Sequence, residues 1–514
     1  MVILAFVLFC GGVRECAAWD SSKFAGGAGT ESSPYLIADA TQLTYLASEV
    51  NSGASSSEGV FFKLTQSIVV SDWTPIGVER YVSGDYVNYF HGVFDGSGYA
   101  VDIQSLGNDL EYVGLFGYVY GRNYPVVIKN VTVTGTMAPV TSQINVAIGA
   151  IIGQSQNKVT VQNCAADVTI NTIGVSAAMW LSVGGIIGTA GQMGFGVSST
   201  VKNCRTDVTM PSMPESEWCE IGGIVGDAYS TNISNCYSAG TLIGFGTYTA
   251  YVGGIIGNSS ILGSSDVRDC YSKASVKSLG YGDNRAGGIA GNLQTGSVNH
   301  CVALNIGVIA SGGSSDYAGA VIGYNRTSNA ANCYAILSGD SSNTYKYDGT
   351  SVSAAACESE SWWSTNPGVF SSVWSQWKWD NAGKSPVLAW ETISAAKQED
   401  IEMIRRLLVE FRDELDALAA AIGNGASDDI KALQDEAEKL YKKAWDDYFN
   451  AEAVLNDPSS SDADCNAAME TARRSIVETS DALTELGNAI DASHGGGGGG
   501  GGGGCNTGVA GLFA

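Results

Sequence analysis

Apolar and polar positions obey two rhythms along this chain. From residue 113 to residue 333, short apolar clusters sit between glycines. The clusters are Val113-Gly-Leu-Phe-Gly117, Ile148-Gly-Ala-Ile-Ile-Gly153, Val183-Gly-Gly-Ile-Ile-Gly188, Ile221-Gly-Gly-Ile-Val-Gly226, Val252-Gly-Gly-Ile-Ile-Gly257, Ala286-Gly-Gly-Ile-Ala-Gly291 and Ala318-Gly-Ala-Val-Ile-Gly323. Their closing glycines are spaced by 36, 35, 38, 31, 34 and 32 residues. A second element follows each cluster, as in Ile128-Lys-Asn-Val131, Val161-Gln-Asn-Cys164, Val201-Lys-Asn-Cys204 and Ile233-Ser-Asn-Cys236. Paired glycines disfavour helix by about 1 kcal/mol each. The Val, Ile, Thr and Tyr around them favour strands. Short strands recurring at one period predict the coils of a β-helix, with Ile and Val inside. The glycines are expected at corners that need positive φ or a close backbone approach.

After Trp390 the rhythm changes. Ile401, Ile404, Leu408, Phe411, Leu415, Leu418 and Ile422 step by three and four, which is an apolar helical seam. Gly423-Asn424-Gly425 ends it, and Ser427-Asp428-Asp429 starts a second seam from Ile430 to Leu455. Asp457-Pro458 breaks that one, and a third runs from Cys465 to Ile490. Three helices with short loops predict an antiparallel bundle. The fold class is therefore mainly β, a solenoid of Gly-rich repeats followed by a three-helix bundle.

The Asn-Cys pair recurs at one place in the coil, which predicts a structural ladder of Cys164, Cys204, Cys236, Cys270, Cys301 and Cys333. Buried free cysteine acts as a small hydrophobe. Neighbouring coils would hold equivalent Cβ atoms ~4.8 Å apart, wider than the ~3.8 Å that a disulfide favours. Stacked, reduced thiols are expected, and the linear spacing does not fit tetrahedral zinc. The states of Cys219 and Cys357 stay open at this point.

These repeats resemble the GLUG-motif repeats of bacterial surface proteins. The upstream stretch from Tyr35 to Gly53, Phe62-Lys-Leu-Thr-Gln-Ser-Ile68, Trp73-Thr-Pro-Ile-Gly77 and Phe94-Asp-Gly-Ser-Gly98 look like the first coils and capping helix of such proteins. Trp362, Trp363, Trp374, Trp377, Trp379 and Trp390 look like an aromatic end cap. The resemblance implies an adhesin-like, cell-surface role and carries no chemistry by itself. Ala451-Glu-Ala-Val-Leu-Asn-Asp-Pro458 and Cys465-Asn-Ala-Ala-Met469 resemble FIVAR-type modules, which implies a stalk or glycan-contacting module.

Both ends read as addresses. Val2 to Phe9 is an unbroken apolar run of signal-peptide length, and Cys16-Ala17-Ala18 places small residues for cleavage after Ala18. A buried N-terminal strand is the alternative. Ten consecutive glycines, Gly495 to Gly504, form a flexible tether before Cys505. This run with its cysteine resembles a Synergistes-type C-terminal sorting tag, which implies processing or anchoring at Cys505. An incidental cysteine in a low-complexity tail is the alternative. The expected organisation is a signal peptide (1–18), N-terminal cap and first coils (19–112), repeat solenoid with C-terminal cap (113–391), helical bundle (394–492), tether (493–504) and truncated sorting signal (505–514).

Charge narrows the partners. Acidic groups outnumber basic ones 52 to 27, for a formal net charge of −25, which leaves no footprint for nucleic-acid phosphates. About half of the net charge lies in residues 394–492, which carry 23 acidic and 10 basic side chains. Three histidines in 514 residues, with no His-Glu-x-x-His and no Gly-x-Ser-x-Gly, exclude zincin and nucleophile-elbow chemistry. No cofactor or metal site is read. Asp167 and Asp207 occupy matching repeat positions and could pair on one face, or could be two exposed strand carboxylates that repel. Tyr81, Tyr86 and Tyr89, with Phe90, Tyr118, Tyr120 and Tyr124, concentrate aromatics that could contact a glycan or pack a cap. The leading expectation is a non-enzymatic surface protein that meets a host or environmental glycan or matrix protein and joins the cell envelope through its C-terminus. The alternative is an envelope-attached polysaccharide lyase or glycoside hydrolase using carboxylates on the solenoid face.

Overall fold

The computed structural model describes residues 19–391 except 79, 83–84, 173, 176–177, 192–198, 211–215, 327–328, 337–344, 367 and 382, isolated positions from 404 to 422, and residues 427–456 and 462–494. The expected signal peptide with its Ala18 cleavage point, the glycine tether and Cys505 lie outside the described residues. The chain divides into two compact units, residues 1–388 and 389–514.

The first unit is a β-solenoid. One coil shows how the repeat folds. Ile152–Gln162 supplies the first two arms, Ala165–Ile170 the third and Trp180–Gly184 the fourth. A tight turn at Gly185 and Ile186 then leads into Ile187–Ala190 of the next coil. Coil pairs with coil in parallel: Ile152 opposes Ile187, which opposes Val225, then Ile256, Ala290 and Ile322. Ile128, Val161, Val201, Ile233, Val267 and Val298 form a second inner column, all fully buried. Each such burial stabilises by about 1.5–3 kcal/mol. Side chains alternate along every arm, so the register keeps the aliphatic set inside.

Of the two roles expected for the glycines, positive φ or close backbone approach, the corners show the second. Positive φ belongs to the residue before each ladder position, not to the paired glycines. Asn130, Asn163, Asn203, Asn235, Asp269, His300 and Asn332 all have φ between 50° and 55°. Asn, Asp and His tolerate this left-handed conformation best among non-glycine residues. The repeat-core glycines Gly149, Gly184, Gly222, Gly253, Gly287 and Gly319 serve the close approach instead. A Cβ on any of them would come within 1.8 to 2.2 Å of the carbonyl oxygen three residues ahead.

Val131 follows the first of those left-handed corners, and the six ladder cysteines follow the other six, all buried and free. The Cys204 N–H donates to Cys236 Sγ, and the Cys236 N–H to Cys270 Sγ, both at 3.4 Å. Burial pushes the Cys164, Cys236, Cys270 and Cys301 thiols well above the usual range. Cys219 and Cys357 are also free and buried, and burial pushes each up to about 12. No disulfide joins any of these eight cysteines.

The helix Ala40–Ser52 packs at the N-terminal coils through Leu43, Leu46, Ala47 and Val50. Asp39 caps it by accepting from the Gln42 N–H at 2.8 Å, and Gly53 ends it in the left-handed region. At the other end, residues 345–351 close the last coil, with Tyr347 bridging Ile322 and Thr350 opposite Tyr334. The tryptophan-rich segment that follows reaches the last coil, where Trp362 meets Tyr334 at 5.4 Å, and runs on from there over earlier coils. It lies along the flank: Trp377 meets Tyr271 at 5.7 Å and Tyr237 at 6.3 Å, and Gln376 accepts from Asn203. Those partners sit several coils back from the end. The third arms of those coils turn aromatic rings outward, and the Trp and Phe side chains cover them.

In the second unit, Asp428–Asn456 and Asp462–His494 are helices. Ser475 and Glu478 meet Asp447 and Lys443 respectively, so the two helices run antiparallel. Ile404, Leu408, Phe411 and Leu415, described positions of the first apolar seam, are helical, buried and share the core of these two helices.

Candidate functional site

Along one face of the solenoid, two columns of outward side chains meet. The fourth arm contributes Ser182, Glu220, Tyr251, Arg285 and Tyr317, which are in register from coil to coil. The first arm of the following coil contributes Thr189, Asp227, Asn258, Asn292 and Tyr324, also in register. Within each repeat the two members are seven residues apart, one on either side of the glycine-framed cluster. The arms can close on each other only because the closing residue is glycine. A Cβ on Gly226 would approach Val183 N to 2.7 Å, and one on Gly257 would approach Ile221 N to 2.6 Å.

The repeat containing Glu220 and Asp227 puts two carboxyls together. They are only 7% and 4% exposed. One amide group serves both: Asn258 Nδ2 donates to Asp227 Oδ1 at 2.9 Å and to Glu220 Oε1 at 3.3 Å. Ser182 Oγ donates to Glu220 Oε2 at 2.9 Å. Tyr229 is hydrogen-bonded to Asp227. Burial, then the neighbouring Asp227 charge, pushes the Glu220 carboxyl well above the usual carboxylate range. Burial pushes Asp227 up to about 7. Two close carboxyls in a low-dielectric site do not both ionise readily, so the pair titrates as a unit.

The amide orientation is dictated from two coils away. Arg285 can only donate. Its Nη1 bonds Asn292 Oδ1, so Asn292 Nδ2 donates onward to Asn258 Oδ1 at 2.6 Å. Asn258 is thereby left with both N–H bonds aimed at the carboxyls. Asp283 holds the Arg285 guanidinium through Nε and Nη2, and the guanidinium carbon lies 3.8 Å from the Tyr324 ring centroid and 4.7 Å from that of Tyr251. A donor group occupies the space between the carboxyls, which suits a proton and opposes a metal ion. Among the described residues no group of three or more His, Cys, Asp or Glu side chains could hold a metal.

Two residues before Ser182 and Glu220, on the same outward side, stand Trp180 and Trp218. Their rings stack at 4.8 Å and 18°, and Tyr248 of the next coil stacks on Trp218 at 5.3 Å and 18°. Trp180 is 43% and Tyr248 60% exposed. The repeat register aligns Trp180 with Trp218, while Tyr248 stands one residue before Thr249, the register partner of Trp218.

The residues singled out from the sequence have other surroundings. Asp167 and Asp207 do lie opposite each other in neighbouring coils. Asp167 is nonetheless held by Arg205 of the adjacent coil, through Nη1 and Nη2, in an ion pair. Arg205 is the cation missing from the sequence expectation, although it sits two residues before Asp207 on the same strand face. Tyr81 and Tyr86 are register partners in the antiparallel hairpin of Arg80–Val82 and Asp85–Val87, and their side chains lie outside the described residues. Tyr89 packs against His91 and Tyr120, both at 5.0 Å, as part of the N-terminal packing. Glu220, Asp227, Trp180 and Trp218 are absent from the residues that the sequence singles out. The signal available was their position flanking the glycine-framed cluster.

No family model matches the chain. A protein of Evansella cellulosilytica named "Putative Gly-rich membrane protein" is 33% identical over 145 residues, which is 26% of this chain. The chain spans 15% of that relative's length. A solved structure described as "a putative immunoglobulin A1 protease from Bacteroides ovatus" aligns with a TM-score of 0.43 and 20% identity, over 72% of this chain and 96% of that one. The chain's own strand pairing makes it a repetitive β-solenoid, and part of it is similar to a Gly-rich protein. Among the described residues no helix is long and apolar enough to cross a membrane.

Proposed function

We propose that this is an exported surface protein whose solenoid face binds a neutral glycan, either on a host or in the environment. The observation that carries this reading is the solvent-facing row of Trp180, Trp218 and Tyr248. Large aromatic rings left in water on a rigid sheet are a binding feature, because their burial stabilises a complex strongly and little side-chain freedom is lost. The excess of acidic over basic groups, 52 to 27, opposes polyanions and favours an uncharged sugar. The GLUG-like repeats, the signal-peptide pattern, the FIVAR-like three-helix module and the Gly-run with Cys505 support display at the cell envelope. In that reading the helical unit is a stalk and Cys505 the point of processing or attachment.

The test is direct binding of the whole chain to immobilised cellohexaose, xylohexaose, chitohexaose and mucin O-glycans. At least one should bind saturably, and Trp218→Ala should weaken that binding by about 10-fold or more, as loss of an aromatic anchor does. Undiminished binding by both Trp218→Ala and Trp180→Ala would overturn the proposal. For the tail, mass spectrometry of the membrane fraction should find Cys505 modified or cleaved. Intact Cys505 in soluble protein would remove the anchoring claim.

A further inference from the structure

We infer that the tryptophan-rich segment, residues 352–388, is a strap that passes mechanical tension from the C-terminal part of the chain to the coils carrying the aromatic row, bypassing the coils that begin at Ala290 and Ile322. The inference rests on the surface-display reading for its purpose and adds a device to it. The strap touches the last coil through Trp362 and Tyr334, and Tyr334 Oη donates to Asn366 Oδ1 at 3.4 Å. It then packs on itself: Trp363, Phe370, Trp377 and Leu388 are buried, and Phe370 stacks on Trp377 at 4.6 Å and 13°. Its far end is the antiparallel hairpin of Trp377–Asp380 and Ser385–Leu388. That hairpin is fastened to coils well before the last. Tyr271 Oη donates to Pro386 O at 2.5 Å, and Lys273 Nζ donates to Ser385 Oγ at 3.2 Å. Trp377 lies against the stacked rings of Tyr237 and Tyr271, and Asn203 Nδ2 donates to Gln376 Oε1 at 3.2 Å.

One strand joins the strap to the aromatic row. Tyr237–Gly253 runs unbroken, with Tyr237 beneath Trp377 at one end and Tyr248, stacked on Trp218, towards the other. A ligand held at the rings and a chain leaving at Leu388, where the first unit ends, are therefore connected through a single strand and its neighbours. The path along the chain is far longer. Without the hairpin's grip, tension entering at Val352 would act on the last coil first. Each coil of a solenoid is held only by its neighbours, so coils would be stripped one after another from that end. Covering the last coil needs only the contact of Trp362 with Tyr334. It does not account for a hairpin anchored to Asn203, Tyr237 and Tyr271.

The experiment holds the full chain in magnetic tweezers between a C-terminal tag and p-azidophenylalanine in place of the exposed Tyr248, so that tension reaches the row without any glycan. After the helical unit extends, the solenoid should hold as one body until a single release frees the strap. Coil-sized steps, about 100 Å for the 31 to 38 residues of a repeat, should follow that release and never precede it. At fixed tension Trp377→Ala should shorten the lifetime before the first coil step by about 10-fold or more. Tyr271→Phe keeps the ring, removes only the bond to Pro386 O, and should shorten it severalfold. Pulling instead between an N-terminal tag and the same handle sends no tension through the strap. Both variants should match the unmodified chain there, a result that general loss of stability would not produce. Coil-sized steps as the first solenoid events in the unmodified chain overturn the inference. So do equal lifetimes for the unmodified chain and both variants, or the same shortening in both pulling geometries. Each of these failures leaves the display reading standing, whereas failure of the glycan panel or of the Cys505 measurement removes that reading and leaves the mechanics of the strap as measured.

Discussion

Replacing Asp227 by Asn should make the solenoid more stable at neutral pH, and the gain should depend on pH. Burial raises the Asp227 carboxyl from its ordinary 3.8 to about 7. Between those values the folded chain keeps a proton that the unfolded chain has released. The contribution is therefore complete below about pH 4 and is lost as pH climbs through about 7. Each unit of difference is worth about 1.4 kcal/mol, so the ceiling for the whole window is roughly 4 kcal/mol. The substituted amide would carry no charge at any pH. It would still offer its Oδ1 to Asn258, whose amide donates to Asp227 Oδ1 at 2.9 Å in the unmodified chain. Urea midpoints read by circular dichroism at half-unit steps from pH 4 to pH 8 give the difference between the two chains. At pH 4 the two should be nearly equal, and by pH 8 Asp227→Asn should lead by up to about 4 kcal/mol. A difference that is flat across this range, or one that favours the unmodified chain at high pH, would refute the buried, proton-holding pair.

Other expectations concern the coil itself. Gly222→Ala would place a Cβ 1.8 Å from Val225 O, and should cost about 3 kcal/mol or more by thermal unfolding. Asn163→Val puts a β-branched residue at φ 53° and removes the bond from its Nδ2 to Asn130 Oδ1 at 3.1 Å; a loss of about 1–2 kcal/mol is expected. The six ladder cysteines, Cys219 and Cys357 are buried and free, so iodoacetamide should label them only after denaturation, as read by peptide mass spectrometry. Rapid labelling of the folded chain at Cys236 or Cys270 would contradict the ladder.

The solenoid was legible because its signals repeat. Glycine-framed clusters at one period leave few folds that can bury them, and Asn-Cys marks one corner in each coil. Why Asn stands there was not legible. It answers to a left-handed backbone that only the coil geometry reveals, while the paired glycines, expected at positive φ or at a close backbone approach, take the second role through carbonyl contacts three residues ahead. The carboxyl pair was hidden for a different reason. Its positions recur, but their chemistry changes with every coil, from Ser182 and Thr189 to Glu220 and Asp227 to Arg285 and Asn292. A search for repeated residue types passes over such a column. Asp167 and Asp207 share a type and so stand out, yet Asp167 pairs with Arg205 rather than with Asp207. The flank position of Trp363 and Trp377 depends on a return of the chain over Tyr237 and Tyr271, which no local pattern encodes.

The central claim is that a glycan sits on the ring row of Trp180, Trp218 and Tyr248. Hydroxyl-radical footprinting with mass spectrometry measures it most directly, with the full chain alone and saturated with the oligosaccharide that binds. Oxidation of Trp180, Trp218 and Tyr248 should fall severalfold on saturation. Tyr345, 51% exposed in the segment that closes the last coil, should keep its rate. Unchanged oxidation of all three rings under saturating ligand would contradict the account.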